Sequence, residues 1–152
     1  MLEKGNGKAL LLSKYILAEY HYYNDEKVDI TWENCTLRKW LNSEYINTIF
    51  SKKEQGAILT TNVINNDNEK YGTKGGNNTK DKLFLLSIDE AYKYFSNSSQ
   101  RSSTYNWLLR SPGKSQNVAA YVYEDGDITE DIDNAYYSTD VQGVRPALWV
   151  KY

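Results

Sequence analysis

The chain has 152 residues, 40% hydrophobic and 25% charged, which suits one soluble globular domain able to bury its own core and excludes a disordered chain. Its formal net charge of −2 argues against a nucleic-acid footprint, and its one cysteine, Cys35, excludes an internal disulfide and a cysteine-rich zinc site. No apolar run approaches the ~20 residues of a membrane span, and Leu10–Leu12 is too short for a signal-peptide core. The expectation is therefore no membrane insertion and no export signal. As given, the chain reads as cytoplasmic, or as a module of a larger cell-surface or phage protein.

In chain order, Met1–Lys4 and Ala9–Leu12 flank Gly5-Asn6-Gly7 and predict a hairpin whose second strand is apolar enough to be central and buried on both faces. Tyr15–Tyr23 is tyrosine-rich and runs into the turn-like Asn24–Lys27. Over Thr31–Phe50, Leu37, Trp40, Leu41 and Tyr45 recur at helical steps, as do Ile46, Ile49 and Phe50. Asn42-Ser43 is expected to break this helical stretch in two. Ser51 with Glu54 and Ser87 with Glu90 have capping-box spacing, each opening a helix, the second over Ile88–Phe95. Ala57–Ile64 is a strand candidate, Asn65–Asp81 a long polar surface loop, Leu83–Leu86 a short buried strand, and Asn97–Thr104 a serine-rich connector.

The last third reads as β. Tyr105–Gly113 (YNWLLRSPG) and Gly143–Val150 (GVRPALWV) each join an apolar run to an arginine and a proline and divide Trp107 and Trp149 between them. They predict neighbouring strands of one sheet with Lys114–Gln142 looped out between. Within that segment Val118, Ala120 and Val122 alternate with Ala119, Tyr121 and Tyr123, which puts the two tyrosines on an outward face. The reading is one α+β domain without repeat or linker.

Seven motifs follow in order: KALLLSKYIL (8–17), ITWENCTLRKWLN (30–42), ILTT (58–61), YGTKGGN (71–77), DKLFLLSIDEA (81–91), WLLRSPG (107–113) and GVRPALWV (143–150). Together they resemble, over nearly the whole chain, a family of bacterial domains common in gut Firmicutes and described as domain of unknown function 6273. The connector before Trp107 is shorter than in that family, and the first strand starts late, at Met1. The family is in turn similar to the C-type-lectin-like fold of formylglycine-generating enzymes and of retroelement-diversified phage receptor-binding proteins. There an L-R-G-G-S-W-like strand start matches Leu109–Gly113 and a G-F-R ending matches Gly143-Val144-Arg145. The resemblance implies an antiparallel sheet with paired N- and C-terminal strands, two or three packed helices and long upper loops.

Catalytic chemistry finds little support. His21 is the only histidine, so neither a histidine triad nor a histidine-rich metal site can be assembled. Cys35, on the predicted helix with nothing nearby to lower its pKa, reads as a buried structural thiol. The lectin Glu-Pro-Asn, Gln-Pro-Asp and Trp-Asn-Asp signatures are absent; Asp125, Asp127, Asp131 and Asp133 lack EF-hand spacing and read as turn-forming aspartates. Gly72–Gly76 lacks phosphate-loop spacing. No enzyme activity, cofactor or metal is therefore expected. Structural roles are assigned to Trp107, Arg110, Pro112, Arg145 and Trp149: the arginines reach a carboxylate or carbonyls, and the prolines end strand pairing.

What stands out is 14 Tyr and 4 Trp. Tyrosine suits adaptable binding surfaces, and it also suits half-buried sheets; both readings stand. The candidate ligand-binding set is Tyr105, Asn106, Lys114, Ser115, Gln116, Asn117, Tyr121, Tyr123, Asp131, Asp133, Asn134, Tyr136 and Tyr137. It falls where the resembling diversified proteins place variable positions, and its Asn, Tyr, Ser and Asp are residues that randomised adenine codons interconvert. The expected function is a non-enzymatic recognition module for a protein or glycan. The alternatives are a formylglycine-generating-type enzyme or accessory, or a spacer domain.

Overall fold

A computed structural model describes residues 1–23, 28–129 and 141–152. The chain opens with β1 (Glu3–Gly5), β2 (Lys8–Leu12) and β3 (Ala18–His21), then one helical rod made of α1 (Thr36–Trp40), a π turn (Leu41–Tyr45) and α2 (Ile46–Ile49). Helix α3 (Lys52–Ala57), β4 (Thr61–Val63), β5 (Thr79–Asp81), α4 (Ile88–Tyr94) and α5 (Ser98–Arg101) follow. The last third holds β6 (Trp107–Pro112), β7 (Ala119–Val122), β8 (Ile128–Thr129), β9 (Val141–Val144) and β10 (Ala147–Lys151).

The terminal strands are paired. Asn6 and Gly7 take φ of 53° and 70°, the two-residue turn whose twist matches a hairpin, and this sets β1 against β2. Strand β10 runs antiparallel along the other edge of β2, from Lys151 opposite Lys8 to Ala147 opposite Leu12. Strand β2 is central, as expected, but only Ala9 and Leu10 are buried; Leu11 and Leu12 are half-covered.

The second sheet has the order β3-β9-β6-β7-β8. It is mixed rather than antiparallel, because β9 runs parallel to β6 through Trp107 opposite Gly143. The 143–150 run is also not one strand beside β6. Arg145-Pro146 divides it, leaving β9 in the five-stranded sheet and β10 with the terminal strands. Proline supplies no N–H to a ladder, so pairing stops there and the chain changes sheets. Gly143 permits the close approach of β9: a Cβ there would sit 2.6 Å from the Asn106 carbonyl oxygen and from Ile16 Cδ1.

The helical rod begins five residues later than the pattern suggested, and Asn42-Ser43 does not break it. Cys35 is the N-cap rather than a helical residue, its Sγ accepting from the Arg38 amide at 3.4 Å. Asn42 faces another element instead. Its Nδ2 donates to the carbonyls of Arg38 and Leu83, and its Oδ1 accepts from the amides of Lys82 and Leu83. Those bonds hold Leu83–Leu86, all four buried, against the rod. That segment is not a strand: it touches β10 through the bridge Phe84 to Ala147 and β6 through the Arg110 amide, which donates to the Leu86 carbonyl at 3.0 Å. Both capping boxes form as expected, Ser51 with Glu54 and Ser87 with Glu90.

The polar stretch 65–81 is less of a surface loop than its composition suggested. Its end is strand β5, antiparallel to β4. Asn68 and Thr73 are buried and donate to the carbonyls of Pro112 and Gly113. Asp81, 2% exposed, accepts from Trp32 Nε1 at 3.0 Å, Thr79 Oγ1 at 2.6 Å and Arg38 Nε at 2.7 Å. A buried carboxylate so surrounded ties β5 to the start of the rod. Replacing it by alanine strands Arg38 and the Trp32 N–H, so Asp81→Ala is expected to lose about 3–5 kcal/mol of unfolding free energy in urea titration. Asp81→Asn, which keeps the shape but not the charge, is expected to lose less.

Candidate functional site

The two strand arginines are built differently. Arg110 is enclosed: its guanidinium pairs with both oxygens of Glu90, with the carbonyl of Leu85 at 2.7 Å and with that of Ile64 at 2.9 Å. Arg145, 5% exposed, donates from Nε to the Ser13 carbonyl at 3.1 Å and from Nη1 to the Arg101 carbonyl at 3.3 Å. It lies 4.6 Å over the Trp107 ring, whose Nε1 donates to the same Arg101 carbonyl. Burial pushes the Arg145 pKa below its ordinary value. Pro112 is buried at the end of β6, and half-buried Trp149 carries the Lys8 ammonium 4.5 Å above its ring.

The predicted ligand-binding residues separate. Tyr105 and Asn106 precede β6, whereas Lys114, Ser115, Gln116 and Asn117 turn the chain at its far end; a six-residue strand puts about 20 Å between them. Gln116 there is a rivet: its amide donates to the carbonyls of Ile30 and Lys74 and accepts from the Lys74 amide. Tyr121 is not on an outward row. It is 2% exposed, because β7 is covered on both faces, and half-buried Tyr123 meets it edge-on with ring centroids 5.0 Å apart. Asp131, Asp133, Asn134, Tyr136 and Tyr137 lie outside the described residues. Asp125 accepts from the Asp127 amide, as a turn-forming aspartate does, and no cluster of three His, Cys, Asp or Glu suited to a metal occurs among the described residues.

The end of β6 at Tyr105 borders a cleft of about 540 Å³, lined by Glu19, Tyr105, Asn106, Glu124, Gln142 and Gly143 with Val141. Asn106 organises it. Its backbone carbonyl accepts from the Gly143 amide and its Oδ1 from the Glu124 amide, both at 3.0 Å, so β6, β9 and the end of β7 converge on one residue. Tyr105 stands 62% exposed at the rim. Gln142 is 8% exposed, and among the described residues nothing hydrogen-bonds its side-chain amide, which leaves the amide open to the cleft it lines. A second cleft of about 450 Å³ adjoins it across Glu124 and is lined by Lys14, Tyr15, Ser103, Thr104 and Arg145 among others. Glu19, Glu124 and Gln142 fall in no motif, and Lys14 falls in the 8–17 motif without a functional signal; Gln142 ends the predicted loop because β9 begins before the glycine that marks the strand.

A family model covers residues 6–152, almost the whole of this framework. The chain belongs to the family described as domain of unknown function (DUF6273). No curated protein and no solved structure gives a match. Among the described residues of this DUF6273 domain, no helix is long and apolar enough to cross a membrane.

Cys35 is fully buried in the DUF6273 core, and burial above all pushes its thiol from an ordinary value near 9 up to about 12. The thiol is thus expected to resist Ellman's reagent at pH 8 in the native protein and to react after unfolding. A raised folded-state pKa gives stability that is complete below pH 9 and is lost as pH rises towards 12. Cys35→Ala should therefore show a shallower alkaline decline in urea stability, though not a flat one, since buried Tyr22 is shifted upward too.

Proposed function

We propose that this domain is a non-enzymatic recognition module that binds a protein or glycan in the cleft at Tyr105, Asn106 and Gln142. The observation that carries the reading is the Gln142 amide, on a largely buried residue and without a hydrogen-bond partner among the described residues, at a cleft whose rim is an exposed tyrosine. Such a cleft offers an aromatic face for a sugar ring or an apolar side chain, and amide and carboxylate groups for directional hydrogen bonds. The Oδ1 of Asn106 is held by the Glu124 amide, which points its Nδ2 to a ligand acceptor. The paired terminal strands and the five-stranded sheet that carries the cleft support a C-type-lectin-like architecture for this role. A buried, protonated Cys35 and a His21 stacked on Tyr20 with centroids 4.4 Å apart support a binding rather than a catalytic reading.

The variable positions of retroelement-diversified proteins enter this reading through the Asn- and Tyr-rich loops. An imperfect DNA repeat near the gene, differing only at adenines, is the observation that would support it.

The test is a glycan and protein array probed with the intact chain, in calcium and in chelator. Binding is expected to survive chelation and to weaken about tenfold or more in Tyr105→Ala, in line with the loss of an aromatic anchor, while the thermal midpoint hardly moves. Undiminished binding by that variant would place recognition elsewhere on the chain, and loss only in chelator would replace this cleft by a calcium site.

A further inference from the structure

The second cleft narrows the class of ligand, on the premise that the recognition reading holds. A guanidinium has five N–H donors; in Arg145 two of them reach carbonyls, and the other three find no acceptor among the described residues. No carboxylate of the described residues lies within 4 Å of it, in contrast to Arg110, whose charge is matched by Glu90. Arg101 is as buried and also held by carbonyls, but it lines neither cleft. Among the described residues, Arg145 is therefore a buried cation without a carboxylate partner, at the wall of an open cavity. Uncompensated buried charge is costly, and an anion entering that cavity would relieve it.

The same cavity has a second cation. Lys14 is exposed at its rim, with Nζ 5.3 Å from the ring centre of Tyr15, which is 65% exposed. Against these two positive charges stands one carboxylate, Glu124, on the partition shared with the Tyr105 cleft. The rest of the lining is hydroxyl and amide: Ser99, Ser102, Ser103, Thr104 and Gln100, with no aliphatic side chain. The exposed Tyr15 ring adds an apolar face to these hydroxyls and amides, and that combination suits a polyhydroxylated ring, which stacks one face and hydrogen-bonds through its edge. From this geometry we infer that the ligand is a saccharide bearing a carboxylate. The acid group is seated at Arg145 and Lys14, and the neutral part of the glycan extends past Glu124 to Tyr105 and Gln142.

The experiment titrates the ¹⁵N-labelled chain, at fixed ionic strength, with short oligomers of galacturonate and of galactose. The acidic oligomer is expected to bind about tenfold more tightly, the effect of one charge-assisted hydrogen bond, and to shift the amides of Ser103 and Thr104. Lys14→Ala, at an exposed position, should remove most of that preference without altering the thermal midpoint. Arg145→Lys should lower it further if the variant folds. Equal affinities, shifts confined to other parts of the chain, or a preference that survives Lys14→Ala would each overturn the inference. Galactose oligomers binding at Tyr105 with no preference for the acid would overturn it while leaving the recognition reading intact. If neither oligomer binds, the saccharide-acid assignment falls, and the array with Tyr105→Ala decides the broader reading by itself.

Discussion

The structure depends on the pairing of buried Arg110 with half-buried Glu90. Glu90 closes the capping box of α4 by accepting from the Ser87 amide, and the same carboxylate receives the Arg110 guanidinium. Arg110 also reaches the carbonyls of Leu85 and Ile64, while its own carbonyl accepts from the buried Tyr22 hydroxyl. One residue in β6 thus registers α4, the 83–86 core segment, the end of β4 and the segment after β3. A fork-shaped cation suits such a junction because its donors leave in fixed directions, so each partner has one allowed position. With β6 held at this end, its other end at Tyr105 and Asn106 is free to form the wall of a cleft.

Arg145 shows what the same residue type does when its surroundings differ. It sits where the chain leaves one sheet for the other, and it is fixed by carbonyls and an indole face rather than by a carboxylate. Arg110 is satisfied and structural. Arg145 holds the crossing between sheets and has donors without an acceptor among the described residues, which sets the cleft beside it apart from an ordinary polar surface.

Much of the framework was legible in the sequence because it is written in local signals. The Asn6-Gly7 turn, both capping boxes and the stripe of Leu37, Leu41 and Tyr45 act within a few residues, and all appear where they were expected. The failures come where a distant partner overrides local preference. Asn42 favours a cap, yet bonds with Lys82 and Leu83 hold it inside the rod. Asp81 looked like a loop residue until Trp32 and Arg38 closed around it. Tyr121 sits in a clean alternation, but alternation marks an outward face only when the second face of the sheet is bare, and here both are covered. The cleft was half legible: Tyr105 and Asn106 flank a recognisable strand, whereas Glu19, Glu124 and Gln142 meet there only through the parallel pairing of β6 and β9.

The pairing of β2 with β10 also has a consequence for how the chain is made. Lys8 waits for Lys151, so the hairpin keeps an open strand edge until the strand at the far end of the domain has left the ribosome. Strand β3 likewise waits for β9. Pairings this distant in sequence form late and slowly, after their loop-closure entropy has been met. During synthesis the apolar β2 therefore has no stable partner on that edge, and nascent-chain protection or crowding is expected to affect the yield of this domain more than its final stability.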